Sequence, residues 1–260
     1  MKISTSKRIQ EIVDTLEKEG FVKASELSKK YAVSMETIRK DLVFLEEKGV
    51  AKKEYGGASL AMAGVEKSLE FRKQREDEKK EIARYAVSLL MEHHSIILDS
   101  GSTCQSCCQY INLIPSKDIF TNSVSAFELL NGDLHNVFLT PGKKRQKNNS
   151  IIGNWAEEYL EKIQVDICLL GTSGLLGSNG PTCHSYQEIT TKKKMIEKSD
   201  LIFVLADSSK FYEKGLHTVV SWDEIDGIIT DHLISPQIFN QINKKVPVYV
   251  AREETNEENR

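Results

Sequence analysis

Between residues 95 and 250 the chain repeats one pattern seven times: a short apolar, β-rich run that closes in a polar turn. The runs are SIILD (95–99), DIFTN (118–122), NVFLT (136–140), VDICLLG (165–171), LIFVLAD (201–207), GIITD (227–231) and VPVYV (246–250). Runs so short and so apolar suit strands that are covered on both faces. Helical stretches separate them, around 102–112, 124–131, 151–163, 186–198 and 235–243. An amphipathic helix beginning at Glu76 precedes the first run and carries Ile82, Ala86, Leu89 and Leu90 toward a core. Strands alternating with helices predict an α/β domain, a mainly parallel sheet covered by helices, over residues 76–250.

In such a sheet, ligands bind beyond the carboxyl ends of the strands. The polar clusters of this chain fall there: Asp99-Ser100-Gly101-Ser102-Thr103, Thr121-Asn122-Ser123, Gly171-Thr172-Ser173-Gly174 and Asp207-Ser208-Ser209-Lys210. A single hydroxyl-rich turn is ordinary punctuation. Four after successive strands predict a site lined with N–H and O–H donors, with Lys210, Arg145 or Lys192 supplying charge. Ser102 and Thr103 open a helix, where hydroxyls, backbone N–H groups and the helix dipole converge on an anion. Asp99 would repel a phosphate, so it is expected to anchor the loop or to accept a sugar hydroxyl.

The first 58 residues have a different character. They hold 12 Lys and Arg against 10 Asp and Glu, while the remainder holds 23 against 28, within a chain of net charge −3. A small basic head on an acidic body is compatible with DNA binding by the head alone. Ile9, Ile12, Val13 and Leu16 mark an amphipathic helix that Gly20 ends. KASELSKKY forms a second helix, and Ser34 is placed to cap a third that runs to about Lys48, with Ile38, Leu42 and Leu45 inward. Met35, Glu36, Thr37, Arg39 and Lys40 lie outside that stripe. VAKKEYGGA reads as a two-stranded wing whose Lys52 and Lys53 reach toward phosphates. A generic three-helix bundle has the same amphipathicity, so periodicity alone does not choose.

Specific residues do. ELSKKYAVSMETIRKDLVFLEEKGVAKKEYGGA resembles the winged helix-turn-helix signature of the DeoR family of bacterial transcription regulators, through Val33-Ser34, the run from Thr37 to Leu42, Leu45-Glu46, Gly49 and Gly56-Gly57. Lys40 stands where the family commonly has Arg, and Asp41 is expected to pair with a nearby cation. The body is similar to the family's sensor domain, of the ribose-5-phosphate isomerase and CoA-transferase type of fold. The matching residues are LDSGST, TNS, Gly142 with Arg145, IIG ending at Gly153, DICLLGTSG, Glu188 with Lys192, DSSKF and ITD. Departures fall at Pro141, where the family has a Gly-Gly pair, and at TCHSY (182–186).

The resemblance implies a head over 3–58, a connector over 59–75, an effector-sensing domain over 76–250 and a polar tail over 251–260. It implies a double-stranded DNA operator and a phosphorylated sugar or related metabolite as effector, with Asp99, Ser102, Thr103, Thr121, Asn122, Ser123, Arg145, Thr172, Ser173, Glu188, Lys192 and Lys210 around it. Sugar-phosphate isomerases of this fold also use carboxylates after a central strand as proton carriers. The corresponding turn here, LLGTSGLLG, has none, and Glu188 reads equally as a base or as a salt-bridge partner. The expected function is therefore a repressor; an isomerase fused to a DNA-binding head, or an oligomerising scaffold, are the alternatives. Two heads per operator imply a homodimer or homotetramer. No cofactor or metal is expected: Cys104-x-x-Cys107 lacks a second ligand pair with zinc spacing. Cys104, Cys107 and Cys108 share one helical face and are expected to be buried, with Cys183 in a loop as the reactive thiol. Five cysteines, no signal-like start and no run of membrane-spanning length point to the cytoplasm and to no membrane partner.

Overall fold

The computed structural model describes residues 4–61 and 75–252. Most of the expected connector, and the tail from 253 on, lie outside them. Contacts divide the chain into units of residues 1–72 and 73–260.

The first unit contains α1 (Thr5–Glu19), β1 (Phe21–Lys23), α2 (Ala24–Tyr31), α3 (Met35–Glu47), β2 (Ala51–Glu54) and β3 (Gly57–Leu60). Ser4 and Ser34 cap α1 and α3, accepting from the N–H groups of Lys7 and Thr37. Ile12, Leu16, Ile38, Leu42 and Leu45 form a closed core. The expected two-stranded wing has a third member: β1 pairs antiparallel with β3, Phe21 opposite Ser59 and Lys23 opposite Gly57. Three residues between Gly20 and α2 are too few to show a two-residue period. The pairing brings the backbone so close that a Cβ at Gly57 would lie 1.9 Å from the carbonyl oxygen of Val22. Asp41 has the cation expected for it. Its two oxygens accept from Nε and a terminal nitrogen of Arg8 at 2.7 and 3.0 Å, both side chains being buried.

The second unit contains α4 (Glu76–Leu89), β4 (Ser95–Leu98), α5 (Ser102–Ile111), β5 (Asp118–Thr121), α6 (Val124–Leu129) and β6 (Asn136–Leu139). A hairpin of β7 (Lys143–Arg145) and β8 (Ser150–Ile152) follows, then α7 (Asn154–Leu160), β9 (Val165–Gly171) and β10 (Thr182–Cys183). The chain continues through α8 (Tyr186–Glu197), β11 (Ser199–Leu205), β12 (His217–Thr218), β13 (Gly227–Thr230), α9 (Pro236–Ile242) and β14 (Val248–Val250). Seven strands make one sheet in the order β14-β13-β11-β9-β4-β5-β6, and each neighbouring pair is parallel. Alternate residues point to opposite faces. Ile96, Leu98, Ile167, Leu169 and Leu205 join the core under α4 and α5; Ile97, Cys168, Leu170 and Val204 join the core on the other face. The helix expected over 151–163 begins only at Asn154, because Ser150–Ile152 pairs with β7 and Gly153 turns the chain at φ 103°. No described helix is long and apolar enough to cross a membrane.

Removing the partner of a buried charge is costly, whereas replacing the whole pair by apolar groups is not. Arg8→Met should therefore destabilise the first unit by about 3–5 kcal/mol, and Arg8→Met/Asp41→Leu should recover most of it. Denaturant unfolding of the full chain, followed by circular dichroism, reads both. A double variant no more stable than the single one would mean that packing of the Arg8 stem, not charge, matters.

Candidate DNA interface and effector site

On α3 the inward stripe leaves Met35, Glu36, Arg39 and Lys40 exposed, and Lys52 and Lys53 are exposed on β2. Ser34 and Thr37 are already engaged: their hydroxyls lie 2.8 Å apart, and Ser34 also takes the Thr37 N–H at 3.1 Å. They set the start of the helix, and Arg39 and Lys40 present its free charge. The wing is fastened to α3 by the Lys53 N–H, which donates to Glu46 at 2.8 Å.

The effector turn begins at Asp99, which is fully buried. Its Oδ2 accepts the Gly171 N–H at 2.9 Å and the ammonium of Lys192, and Lys192 also donates to the Gly171 carbonyl at 3.0 Å. Burial disfavours the Lys192 cation, but the fields of Asp99 and Glu188 outweigh it and raise its pKa above the ordinary lysine value. Asp99 thus anchors the loop, and Lys192 is its counter-ion. Gly171 sits where a Cβ would come within 3.3 Å of the Asp99 carboxylate. The next residues lead into α5, which starts at Gly101 (φ 126°) with no side-chain cap. Its first turn carries the half-buried Ser102 and the buried Thr103.

At the end of β5, Thr121 donates to the Leu98 carbonyl at 2.6 Å and accepts from the Ser123 N–H at 3.0 Å, so its hydroxyl clamps β4 to β5. Ser123 caps α6 by accepting from Ala126. Asn122 is buried, and its side-chain oxygen has no hydrogen-bond partner. The β7–β8 hairpin folds over this turn: the Ile151 N–H donates to the Asn122 carbonyl at 2.6 Å. Glu188 accepts from Asn148 at 2.5 Å and lies 3.8 Å from Arg145. Asn148 escaped the sequence reading; two asparagines before a short strand read only as a turn. Thr172 accepts from the Thr182 N–H at 3.0 Å, and the Ser173 N–H donates to the Thr182 carbonyl at 2.8 Å, so both brace the β10 segment.

Beyond β11, Asp207 accepts from Ser209, and Lys210 pairs with Glu213 at 2.6 Å. A cavity of about 450 Å³ opens between α4 and α5, lined by Lys79, Lys80, Ser102, Gln105 and Ser106 among others. Lys79 also went unnoticed in the sequence, as one charge among many in EDEKKE. Cys104, Cys107 and Cys108 are buried against the sheet as expected. Cys183 is a correction: it lies in β10, 1% exposed, and burial pushes its thiol up to about 11. A thiol so protonated is a poor nucleophile.

A capped helix with exposed cations beside a hairpin, followed by an α/β body with polar turns at the carboxyl edge of its sheet, fits a DNA-binding regulator with a sensor domain. The family models agree: that of the DeoR-like helix-turn-helix domain matches residues 8–62, and that of the DeoR C-terminal sensor domain matches 74–232. The chain belongs to the DeoR family of transcriptional regulators. It is 32% identical over 245 residues to the proposed aga operon transcriptional repressor of Escherichia coli O157:H7, covering 92% of this chain and 91% of that one. It is 28% identical over 222 residues to the glycerol-3-phosphate regulon repressor of Escherichia coli K12, covering 85% and 88%. Among solved structures, ribose 5-phosphate isomerase A of Methanocaldococcus jannaschii aligns with 53% of this chain and 55% of its own, at 18% identity and a TM-score of 0.39. An overlap that low carries no argument about function.

Lys192→Met would leave Asp99 buried without its cation. The variant should lose about 3–5 kcal/mol of stability at pH 7. In the wild type the raised Lys192 pKa gives stability that is complete below the ordinary lysine value of about 10.4 and is lost as pH rises above it. Thermal melts between pH 7 and 11 test this slope; a deficit in Lys192→Met that does not narrow above that value would exclude this pairing.

Proposed function

We propose that the protein is a repressor that binds operator DNA through α3 and the wing, and whose affinity for that operator is set by a phosphorylated sugar or related metabolite at the carboxyl edge of the sheet. It acts as a homodimer or homotetramer, so that two heads engage paired half-sites. The observation that carries the effector reading is the contrast at that edge. The start of α5 offers donors without a capping side chain, while the nearby carboxylates Asp99, Glu188, Asp207 and Glu213 each hold a partner. At that edge, among the described residues, donors for a phosphate are present and the nearby carboxylates are engaged, which favours binding over turnover. The name of the glycerol-3-phosphate regulon repressor supports a phosphorylated polyol as the class of signal.

A thermal-shift screen of sugar phosphates on the full chain identifies the effector, since a ligand that binds only the native state raises its melting temperature. Operator duplexes selected from a random pool then allow fluorescence anisotropy. Arg39→Ala and Lys40→Ala should each weaken operator binding by about 1–3 kcal/mol where a base contact is lost. Lys52→Ala and Lys53→Ala should lower affinity for all duplexes and flatten the salt dependence. Unchanged footprints for the Arg39/Lys40 double variant would move the recognition surface elsewhere.

A saturating effector should change operator affinity roughly 5- to 150-fold. Thr103→Val should blunt that response while effector-free binding stays near wild type. A full response in Thr103→Val would remove this hydroxyl from the cradle, and multiple turnover of any phosphate in the screen would favour an enzyme.

A further inference from the structure

The seven-stranded sheet ends in two edge strands, β14 and β6, and an edge presents backbone N–H and C=O groups that no neighbouring strand pairs. At β14 the edge is covered. Ile228 donates to the Pro247 carbonyl at 2.9 Å and Ala251 to the Thr230 carbonyl at 2.8 Å, so the period of two turns the Val248 N–H outward. That N–H donates to the Asn243 side chain at 2.9 Å. β6 has no such cover. Its Asn136 and Thr140 N–H groups turn inward, to the carbonyls of Lys117 and Thr121 at 3.0 and 2.9 Å. The same period turns the N–H and C=O groups of Val137 and Leu139 outward, and among the described residues nothing pairs with them. Between them, Phe138 is 41% exposed and stacks on Phe120, the ring centroids 4.9 Å and the planes 13° apart. Phe120 in turn meets Tyr159 of α7 at 6.4 Å, and one turn earlier on that helix Trp155 is 70% exposed. The charges flanking β6 are of opposite sign: exposed Asp133 precedes it, and exposed Lys143 and Lys144 follow it.

We propose that β6 is the contact between two copies of this chain, paired antiparallel across a two-fold axis that passes through Phe138. This rests on the homo-oligomer reading above and names the surface that forms it. Hydrogen bonding selects the register. Pairing Val137 with itself would set Leu139 against His135, whose N–H is already given to the Asn131 carbonyl at 3.0 Å. Pairing Leu139 with itself would set Val137 against Pro141, which has no N–H. Val137 opposite Leu139 of the second copy lets both exchange N–H···O bonds in both directions. Phe138 then lies on the axis as a non-hydrogen-bonded pair, its Cα atom about 4.5 Å from its counterpart. The exposed sides of the two phenylalanines cover each other, and the stack begun by Phe120 continues across the axis. Antiparallel pairing also sets the Asp133 end of one strand beside the Lys143 and Lys144 end of the other, whereas parallel pairing would bring like charges together. The contact is self-complementary, and it leaves β6 no open edge.

The test is sedimentation velocity of the full chain at micromolar concentration, with Phe138→Glu, Phe138→Lys, Phe138→Cys and Asn136→Cys beside wild type. A residue on a two-fold axis meets itself. Phe138→Glu alone and Phe138→Lys alone should therefore each associate roughly tenfold or more weakly than wild type, like charges being forced together. An equimolar mixture of the two should recover association, which a loss caused by a damaged fold would not do. Phe138→Cys should give a disulfide-linked dimer under mild oxidation, because the paired Cα atoms lie within bridging range and the native cysteines are buried. Asn136→Cys should not, since the antiparallel register holds those two residues roughly 13 Å apart. If either charged variant fails to fold, the two cysteine variants decide. Absence of the Phe138→Cys cross-link, a cross-link through Asn136→Cys, or folded charged variants that do not recover on mixing would each overturn this interface. With any of these, a wild type that still self-associates keeps the homo-oligomer reading. A wild type that stays monomeric would overturn both.

Discussion

Asp99 leaves the end of β4 fully buried and meets Lys192 from α8 and the Gly171 N–H from β9. β4 and β9 are neighbours near the middle of the seven-stranded sheet, so this contact fixes the loops that follow both strands. A buried carboxylate is tolerable only with a cation and hydrogen bonds at close range, and those conditions leave the turn one geometry. The turn then delivers Gly101 at a positive φ, and α5 starts without a side-chain cap. The uncapped start of α5 follows from how Asp99 is neutralised.

The first unit uses the same device at smaller scale. Asp41 and Arg8 form a two-bonded pair that ties α3 to α1. In the run Thr37-Ile38-Arg39-Lys40-Asp41-Leu42, adjacent residues therefore have opposite duties. Ile38, Asp41 and Leu42 face inward, and Arg39 and Lys40 face outward. An acid among cations would weaken a DNA surface if it stayed exposed. Turned inward and paired with Arg8, it orients the helix without opposing phosphate.

All seven strands of the main sheet were legible because each is an apolar run of ordinary length. The three helices of the head were legible from periodicity and from the caps at Ser34 and Gly20. The short strands outside that sheet were not: β1, β7, β8, β10 and β12 have two or three residues each, too few to show a period, and tertiary pairing alone makes them strands. The site was legible by position and less so by role. Thr121, Thr172, Lys192 and Lys210 sit at the expected edge, yet the fold employs their polar atoms as clamps and counter-ions. Sequence marks that a hydroxyl or an amine is present; only packing decides whether a neighbour has already claimed it. Lys79 is the converse case, since nothing in EDEKKE distinguishes the lysine that ends up buried from the one that does not.

A carboxyl edge crowded with acids is at first sight a poor place to hold a phosphate. What matters is the field that remains after local pairing. Asp99 faces Lys192, Glu188 faces Arg145, Glu213 faces Lys210, and Glu81 faces His232 at 2.7 Å. Asp207 and Asp231 are bound by hydroxyl and N–H donors, including the Ser208 N–H at 2.6 Å. Opposite charges in contact project little beyond a few ångströms, and water screens the remainder. The dipole of α5, whose start has no capping side chain, is favourable to an anion. A sheet edge whose acids are paired in this way suits the anionic effector proposed above.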